Sequence, residues 1–289
     1  MKKILVLSKV DDQRLHAFKS VPLNSSEYEI VATTYDSFHG EITEATRKFC
    51  IDETPLEDFA AIYFYKLYGY EETVTLINCY LEQHSSNTVI VDAAVQQNMK
   101  WIDRKSWEYL ILSAHDFPII PTRYCFGSKL MQQAIHSPVI VKQTYLSEGK
   151  GVWLCHSQSE LEKVATQFPQ DLLLIQPFIE NEGDIRAMVV GGKVVGTMLR
   201  KNSGDYRNNI ALGGSGTVAQ VDNDVTALAE EVAQALKYDV AGVDLIQDKK
   251  TGKWFVMEVN KGPNFDGLDH LMGSSTPAQI ISFIQTKIS

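Results

Sequence analysis

Asp244, Glu258 and Asn260 stand at the two ends of one stretch, Asp244–Asn264, that is apolar between them. A turn centred near Lys250-Thr251 folds this stretch into a hairpin. Pairing about that centre sets Asp244 approximately opposite Glu258. Alternation along a strand puts Glu258 and Asn260 on one face. The same alternation assigns Trp254 and Val256 to that face, and Phe255, Met257 and Val259 to the other. Two carboxylates held close repel unless a cation neutralises them. Carboxylates with an amide oxygen suit hard Mg²⁺, which also takes water and phosphate oxygens. A solvated hairpin end with ordinary polar residues has the same spacing.

Cationic residues supply the complementary half of such chemistry. Val139-Ile-Val-Lys142 places a lysine at the end of an apolar strand, and Ser147-Glu-Gly-Lys-Gly151 follows. Glycines let backbone N–H groups approach phosphate oxygens. The loop is also compatible with a plain turn, and it is no Walker A motif, because it joins strand to strand. Lys105 reads by default as a solvated helix residue. Arg186, Arg200 and Arg207 are of the type whose planar fork grips carboxylate or phosphate. No Ser–His–Asp, G-x-S-x-G or H-E-x-x-H arrangement occurs.

These residues must be positioned by a framework that changes character along the chain. Over residues 1–95, strands at Lys3–Ser8, Ile30–Thr33, Ala61–Tyr65 and Val89–Asp92 alternate with helical stretches such as Thr73–His84, which argues for a parallel sheet in a small α/β domain. Helices are expected over Asp103–Ala114, Lys129–Ile135, Ser159–Gln167, Asp224–Leu236 and Thr276–Ile288. Strands are expected over Pro138–Gln143, Gly151–Cys155, Leu172–Ile179, Val240–Gln247 and Trp254–Val259. Asp184–Val190 and Lys193–Arg200 form a hairpin about Gly191-Gly192. Asn202–Gly216 reads as a polar, glycine-rich loop. Tyr63, Tyr65, Tyr68 and Tyr70 either line an acceptor groove or finish a strand and pack.

The 289 residues suffice for two or three subdomains. Net charge of −9 argues against a nucleic-acid partner. No apolar run approaches the ~20 residues of a membrane span, and the apolar start is too short for a signal peptide, with Asp11 and Asp12 following at once. Cys50, Cys79, Cys125 and Cys155 are scattered, which fits reduced thiols in a cytoplasmic protein.

Taken in order, the motifs resemble the ATP-grasp superfamily, specifically the RimK-like carboxylate–amine ligases. The resemblance runs over residues 103–267 through Asp103-Arg-Lys105, Pro138–Lys142, Glu148–Val152, Leu174–Ile179, Gly183–Arg186, Tyr206–Asn209 with Gly213–Ser215, Val240–Asp244 and Val256–Asn260. It implies an α/β (α+β) ATP-grasp fold that binds its nucleotide between two α+β subdomains. Residues 1–95 are then a pre-ATP-grasp domain, 96–180 a small lid subdomain with the phosphate loop, and 181–289 a C-terminal subdomain with the metal site. The implied nucleotide contacts are Lys105 and Lys142 on phosphates, Gly149, Lys150 and Gly151 over them, and Gln176, Pro177, Phe178 and Ile179 as the adenine hinge. Asp184 lies near the ribose and Met257 under the adenine. Pro177 stands where the family often has an acid, and it offers no backbone donor. Asp244, Glu258 and Asn260 match the ligands of Mg²⁺, for which Mn²⁺ can substitute. Arg186, Arg200, Arg207 and Asn209 match the polar groups around the transferred phosphate and acceptor. The implied reaction joins a carboxylate, from an amino acid or a peptide or protein C-terminus, to an amine with ATP. A dimer or tetramer fits the resemblance. A non-catalytic nucleotide-binding module and a phosphotransferase are the alternatives.

Overall fold

The computed structural model describes residues 1–23, 26–84, 87–98, 104–130, 136, 138–144, 146, 150–202, 204–208 and 213–289. Lys2–Ser8 is an apolar run buried on both faces, as a central parallel strand requires. It lies between Tyr28–Thr34 and Phe59–Phe64, with Val89–Ile90 outermost, all parallel. Helix Glu71–Gln83 covers one face through Val74, Ile77 and Leu81. The closing helix Thr276–Ile288 covers the other through Ile280, Ile281 and Ile284.

A second, antiparallel sheet runs Val152–Cys155, Val139–Gln143, Leu172–Pro177, Arg123–Phe126. The third runs Ser215–Val218, Lys193–Lys201, Asp184–Val190, Val240–Gln247, Trp254–Asn260, also antiparallel. Helix Asn223–Ala235 buries one face of this sheet. Its opposite face is divided. Met188, Val190, Met198 and Val240 pack into the core shared with the N-terminal sheet. Asp184, Arg186, Arg200 and Asp244 share that parity but stand further along the strands, where the face meets a cleft. Gly191 and Gly192, at φ +60° and +76°, make the tight turn that keeps this register.

The strands expected at Asp184–Val190 and Val240–Gln247 and the closing helix Thr276–Ile288 form with the expected bounds. Helix Asp103–Ala114 is described from Lys105, and only Gly127–Leu130 is described around the short helix expected at Lys129–Ile135. An antiparallel meander, Phe38–Ile42, Arg47–Ile51 and Thr54–Pro55, has no counterpart in the sequence reading. Its first strand buries almost nothing, so it carries no alternating apolar signal. Strand Arg123–Phe126 and helices Leu15–Lys19 and Asp266–Met272 are likewise additional. Ser215–Val218 takes the end of the expected polar loop into the sheet edge. Among the described residues, no helix is long and apolar enough to cross a membrane.

Candidate functional site

Antiparallel pairing fixes the charges of the third sheet in register. Arg186 lies opposite Asp244, Asp244 opposite Glu258, and Asp184 opposite Arg200. Arg186 grips Asp244 with two nitrogens, Nη2 reaching Oδ2 at 2.8 Å. Arg200 donates to Asp184 at 2.6 Å and reaches Asp244 Oδ2 at 3.0 Å. All four side chains are buried. Burial pushes the Asp184 carboxyl up to about 6, and Asp244 adds to it against the pull of Arg200. Burial also raises Asp244, but Arg186 and Arg200 outweigh it and leave that carboxyl below its usual range. Asp184 is therefore the acid of this pair that takes up a proton first.

The expected facing of Asp244 and Glu258 holds, and Glu258 and Asn260 share a side as expected, but the alternation slips by one residue at Met257. Asp244 pairs with Glu258 and Leu245 with Val256, so Met257 is an extra, bulged residue. A bulge shifts the parity of everything beyond it. Val256 and Val259, assigned by alternation to opposite faces, both enter the core. Met257 and Glu258, likewise assigned to opposite faces, both line the cleft. The bulged carbonyl of Met257 accepts the Tyr109 hydroxyl at 2.5 Å. Burial raises the Tyr109 pKa well above its usual value, so the phenol stays a donor. Tyr109→Phe leaves that carbonyl without its partner. The expected loss is about 1–3 kcal/mol of stability, read by urea unfolding.

The second and third sheets flank a cleft. Of the residues singled out by sequence, Lys105, Lys142, Lys150, Gln176, Pro177, Phe178, Ile179, Asp184, Arg207, Asp244, Met257 and Glu258 all line it. Lys105 Nζ meets Glu258 Oε1 at 2.7 Å. Burial lowers the Lys142 ammonium to about 8; Glu258 opposes the shift and Lys105 adds to it. Arg207 faces the cleft with its guanidinium forked onto Asp205, Nη2 to Oδ2 at 2.6 Å. Arg186 and Arg200 lie under the floor, on Asp244, rather than in the cleft lining. Gly151, at φ +63°, turns the chain into Val152–Cys155 beside the cleft. Gly149, Asn209 and Asp103 lie outside the described residues.

Asn260 opens instead onto a second chamber, lined also by Lys66, Tyr68, Glu108 and Thr144. The chambers share Lys105, Leu146 and Glu258. Tyr68 therefore lines a groove as one sequence reading had it, while Tyr63 and Tyr65 pack in the core and Tyr70 stacks on Tyr35. Among the described residues no three His, Cys, Asp or Glu side chains converge on a metal position. A cation between Asp244 and Glu258 can take an amide oxygen, a backbone carbonyl, water or phosphate oxygens as its further ligands. The Asn260 side-chain nitrogen is buried and finds no partner among the described residues. Two carboxylates and this amide are the oxygen donors a hard cation takes.

Among the residues that the sequence reading did not single out, Ile246 and Asn181 line the cleft and Tyr109 holds the Met257 carbonyl. Ile246 lies two residues beyond Asp244 on the same strand face, and strand parity alone would have found it. Asn181 binds the Ile179 carbonyl at 2.8 Å and accepts from Asn208 at 3.1 Å, bracing the hinge from a loop with no local signal. Tyr109 follows Lys105 by one helical turn.

The profile of the RimK-like ATP-grasp domain matches residues 122–284. A probable alpha-L-glutamate ligase of Syntrophotalea carbinolica is 37% identical over 169 residues, 57% of this chain and 55% of that protein. The like-named protein of Aeromonas salmonicida is 31% identical over 188 residues, 62% of each chain. The chain thus matches little more than half the length of these curated relatives. Among solved structures, the ATP-grasp ligase PsnB complexed with a minimal precursor superposes with a TM-score of 0.75 over 99% of both chains, at 14% identity. D-alanine–D-alanine ligase from Bacillus anthracis complexed with ATP gives 0.65 over 100% of this chain and 97% of that one, at 16% identity. Both likenesses are likenesses of fold.

Proposed function

Since the chain belongs to the RimK-like ATP-grasp family, we propose that it is an ATP-dependent ligase joining a carboxylate to an amine. The observation that carries this reading is the meeting of the two chambers at Lys105 and Glu258. ATP fits the first chamber, with its γ-phosphate end at that junction, and the substrate carboxylate enters from the second. A carboxylate oxygen attacks the γ-phosphorus, the bond to ADP breaks, and an acyl phosphate forms. The amine then attacks the acyl carbon, a C–N bond forms, phosphate leaves, and the amine gives up a proton. Free carboxylate is a poor acylating agent, and phosphate supplies the leaving group. Such transfers depend on positioning and charge neutralisation.

The roles follow from chemistry and place. Lys105 and Lys142 neutralise phosphate oxygens, with Lys150 and the Gly149–Gly151 loop covering them. Pro177 has no N–H and the Phe178 N–H donates to the Pro138 carbonyl, so hinge carbonyls accept from the adenine amino group. Met257 supports the ring and Asp184 stands toward the ribose. Arg207 stands toward the transferred phosphate, the role that the resemblance also gives Asn209, and Arg186 and Arg200 order Asp244 and Asp184 from beneath. Asp244, Glu258 and Asn260 would hold Mg²⁺, which supplies charge neutralisation at the phosphates when bound. The curated relatives named glutamate ligases support an amino acid as one substrate. The PsnB complex with its precursor supports a peptide.

ADP release over a panel of amino acids, peptides and amines tests the proposal. The expected result is release that needs Mg²⁺, a carboxylate and an amine together. Release without amine, with a stable phosphorylated product, would make the chain a phosphotransferase. Nucleotide binding with no release across the panel would make it a binding module.

A further inference from the structure

Lys261 follows Asn260 directly, yet its whole side chain is buried. It runs away from both chambers into the N-terminal layer. Its ammonium lies 2.8 Å from Asp92 Oδ2, donates to the Phe64 carbonyl, and sits 4.5 Å from the centre of the Tyr63 ring. With its other oxygen, Asp92 accepts the backbone N–H groups of Asp239 at 2.6 Å and Val240 at 2.9 Å. The Asp92 N–H in turn donates to Asp239 Oδ2 at 2.8 Å.

Val240 opens the strand that carries Asp244, and Asn260 closes the strand that carries Glu258. Antiparallel pairing brings these two ends together, with Gly242 opposite Asn260. One carboxylate therefore grips both acid-bearing strands at the same end of the sheet, one through backbone and the other through Lys261. Asp92 does so at φ +68° and ψ 107°, a conformation that a residue with a side chain holds only where its surroundings over-determine it. The adjoining chain is fixed as closely. A Cβ on Gly262 would lie 2.1 Å from the Tyr65 carbonyl, and the Tyr65 hydroxyl donates to the Pro263 carbonyl at 2.8 Å.

A buried ion pair adds little net stability over apolar side chains of the same volume, because desolvation offsets the attraction. What such a pair fixes well is geometry. We propose that Lys261 is a positioning residue, which with Asp92 sets the separation of Asn260 from Asp244 and Glu258 for a divalent cation. The inference rests on the reading of those three residues as the cation's ligands.

The test measures Mn²⁺·ADP affinity by water-proton relaxation, and metal-free ADP affinity by calorimetry, on the full chain. Wild type is compared with Lys261→Met, with the charge-neutral pair Asp92→Asn/Lys261→Met, and with Asn260→Ala. Both Lys261 variants are expected to lose about 10–100-fold in Mn²⁺·ADP affinity, the effect of disturbing the support of a metal ligand. Metal-free ADP affinity is expected to stay within about twofold. If Lys261→Met does not fold, the paired variant, which leaves no buried charge alone, decides the matter. Retained Mn²⁺·ADP affinity with a lowered melting temperature would make the pair a structural joint only and overturn the proposal. Unchanged affinity in Asn260→Ala would instead overturn the ligand reading, and the inference with it.

Discussion

Asp244→Asn is expected to lose ADP release and, at the same time, about 3–5 kcal/mol of folding stability. Glu258→Gln is expected to lose the release alone. The difference lies in what each carboxylate already holds. Asp244 is buried and takes both the Arg186 fork and an Arg200 nitrogen. Neutralising it takes from Arg186 the carboxylate that it grips and leaves Arg200 with Asp184 as its carboxylate partner among the described residues. Breaking one member of such a network strands charge in a medium that solvates it poorly. Glu258 meets Lys105, with side chains 23% and 15% exposed, and water can replace either partner. Its neutralisation changes stability by no more than about 1 kcal/mol. Both variants remove a proposed metal ligand, so turnover falls by about 10³-fold or more in each. Urea unfolding beside an ADP-release assay separates them. An Asp244→Asn chain as stable as wild type would show that the arginines find other partners.

Much of this site was legible in the sequence because it depends on local spacing. The turn near Lys250 brings Asp244 within one residue of facing Glu258, and the bulge at Met257 completes that register. Lys105 and Lys142 sit at element ends that periodicity places, and both reach the cleft. What could not be read depends on partners far along the chain. The bulge at Met257 is held by Tyr109, 148 positions away, and nothing in Val256-Met-Glu-Val-Asn260 announces it. The alternation then slips by one residue at Met257, so Trp254 and Val256 lie on the face opposite to Glu258. The pairing of Arg186 and Arg200 with Asp244 arises from three strands coming into register, which residue type alone does not specify. Lys261 is the extreme case. A lysine beside a glycine and a proline reads as a surface turn, and only the packing of the N-terminal sheet against this strand exit buries it. The meander over residues 38–55 was missed for a different reason, since its first strand has no buried side.

Lys142→Met is expected to lower turnover by about 10²–10³-fold, the scale of losing one preorganised charge at a transferring phosphate. Its pH signature is more specific than its size. Burial and Lys105 hold the Lys142 ammonium at about 8, below its ordinary 10.5. Phosphate binds the protonated form, so nucleotide affinity falls as pH rises through about 8, by up to about tenfold per unit. Folding runs the other way. Between about 8 and 10.5 the unfolded chain binds the proton that the native site releases, so the contribution of this lysine to stability rises with pH. Affinity for a non-hydrolysable ATP analogue and urea stability, each measured from about pH 7 to about pH 9.5, should therefore slope in opposite directions in wild type. In Lys142→Met the part of each slope due to this lysine disappears. The variant also removes an ammonium held against its own burial, so its stability near neutral pH should equal or exceed that of wild type. A site that binds phosphate through Lys105 alone would keep the affinity profile of Lys142→Met superimposable on that of the parent chain.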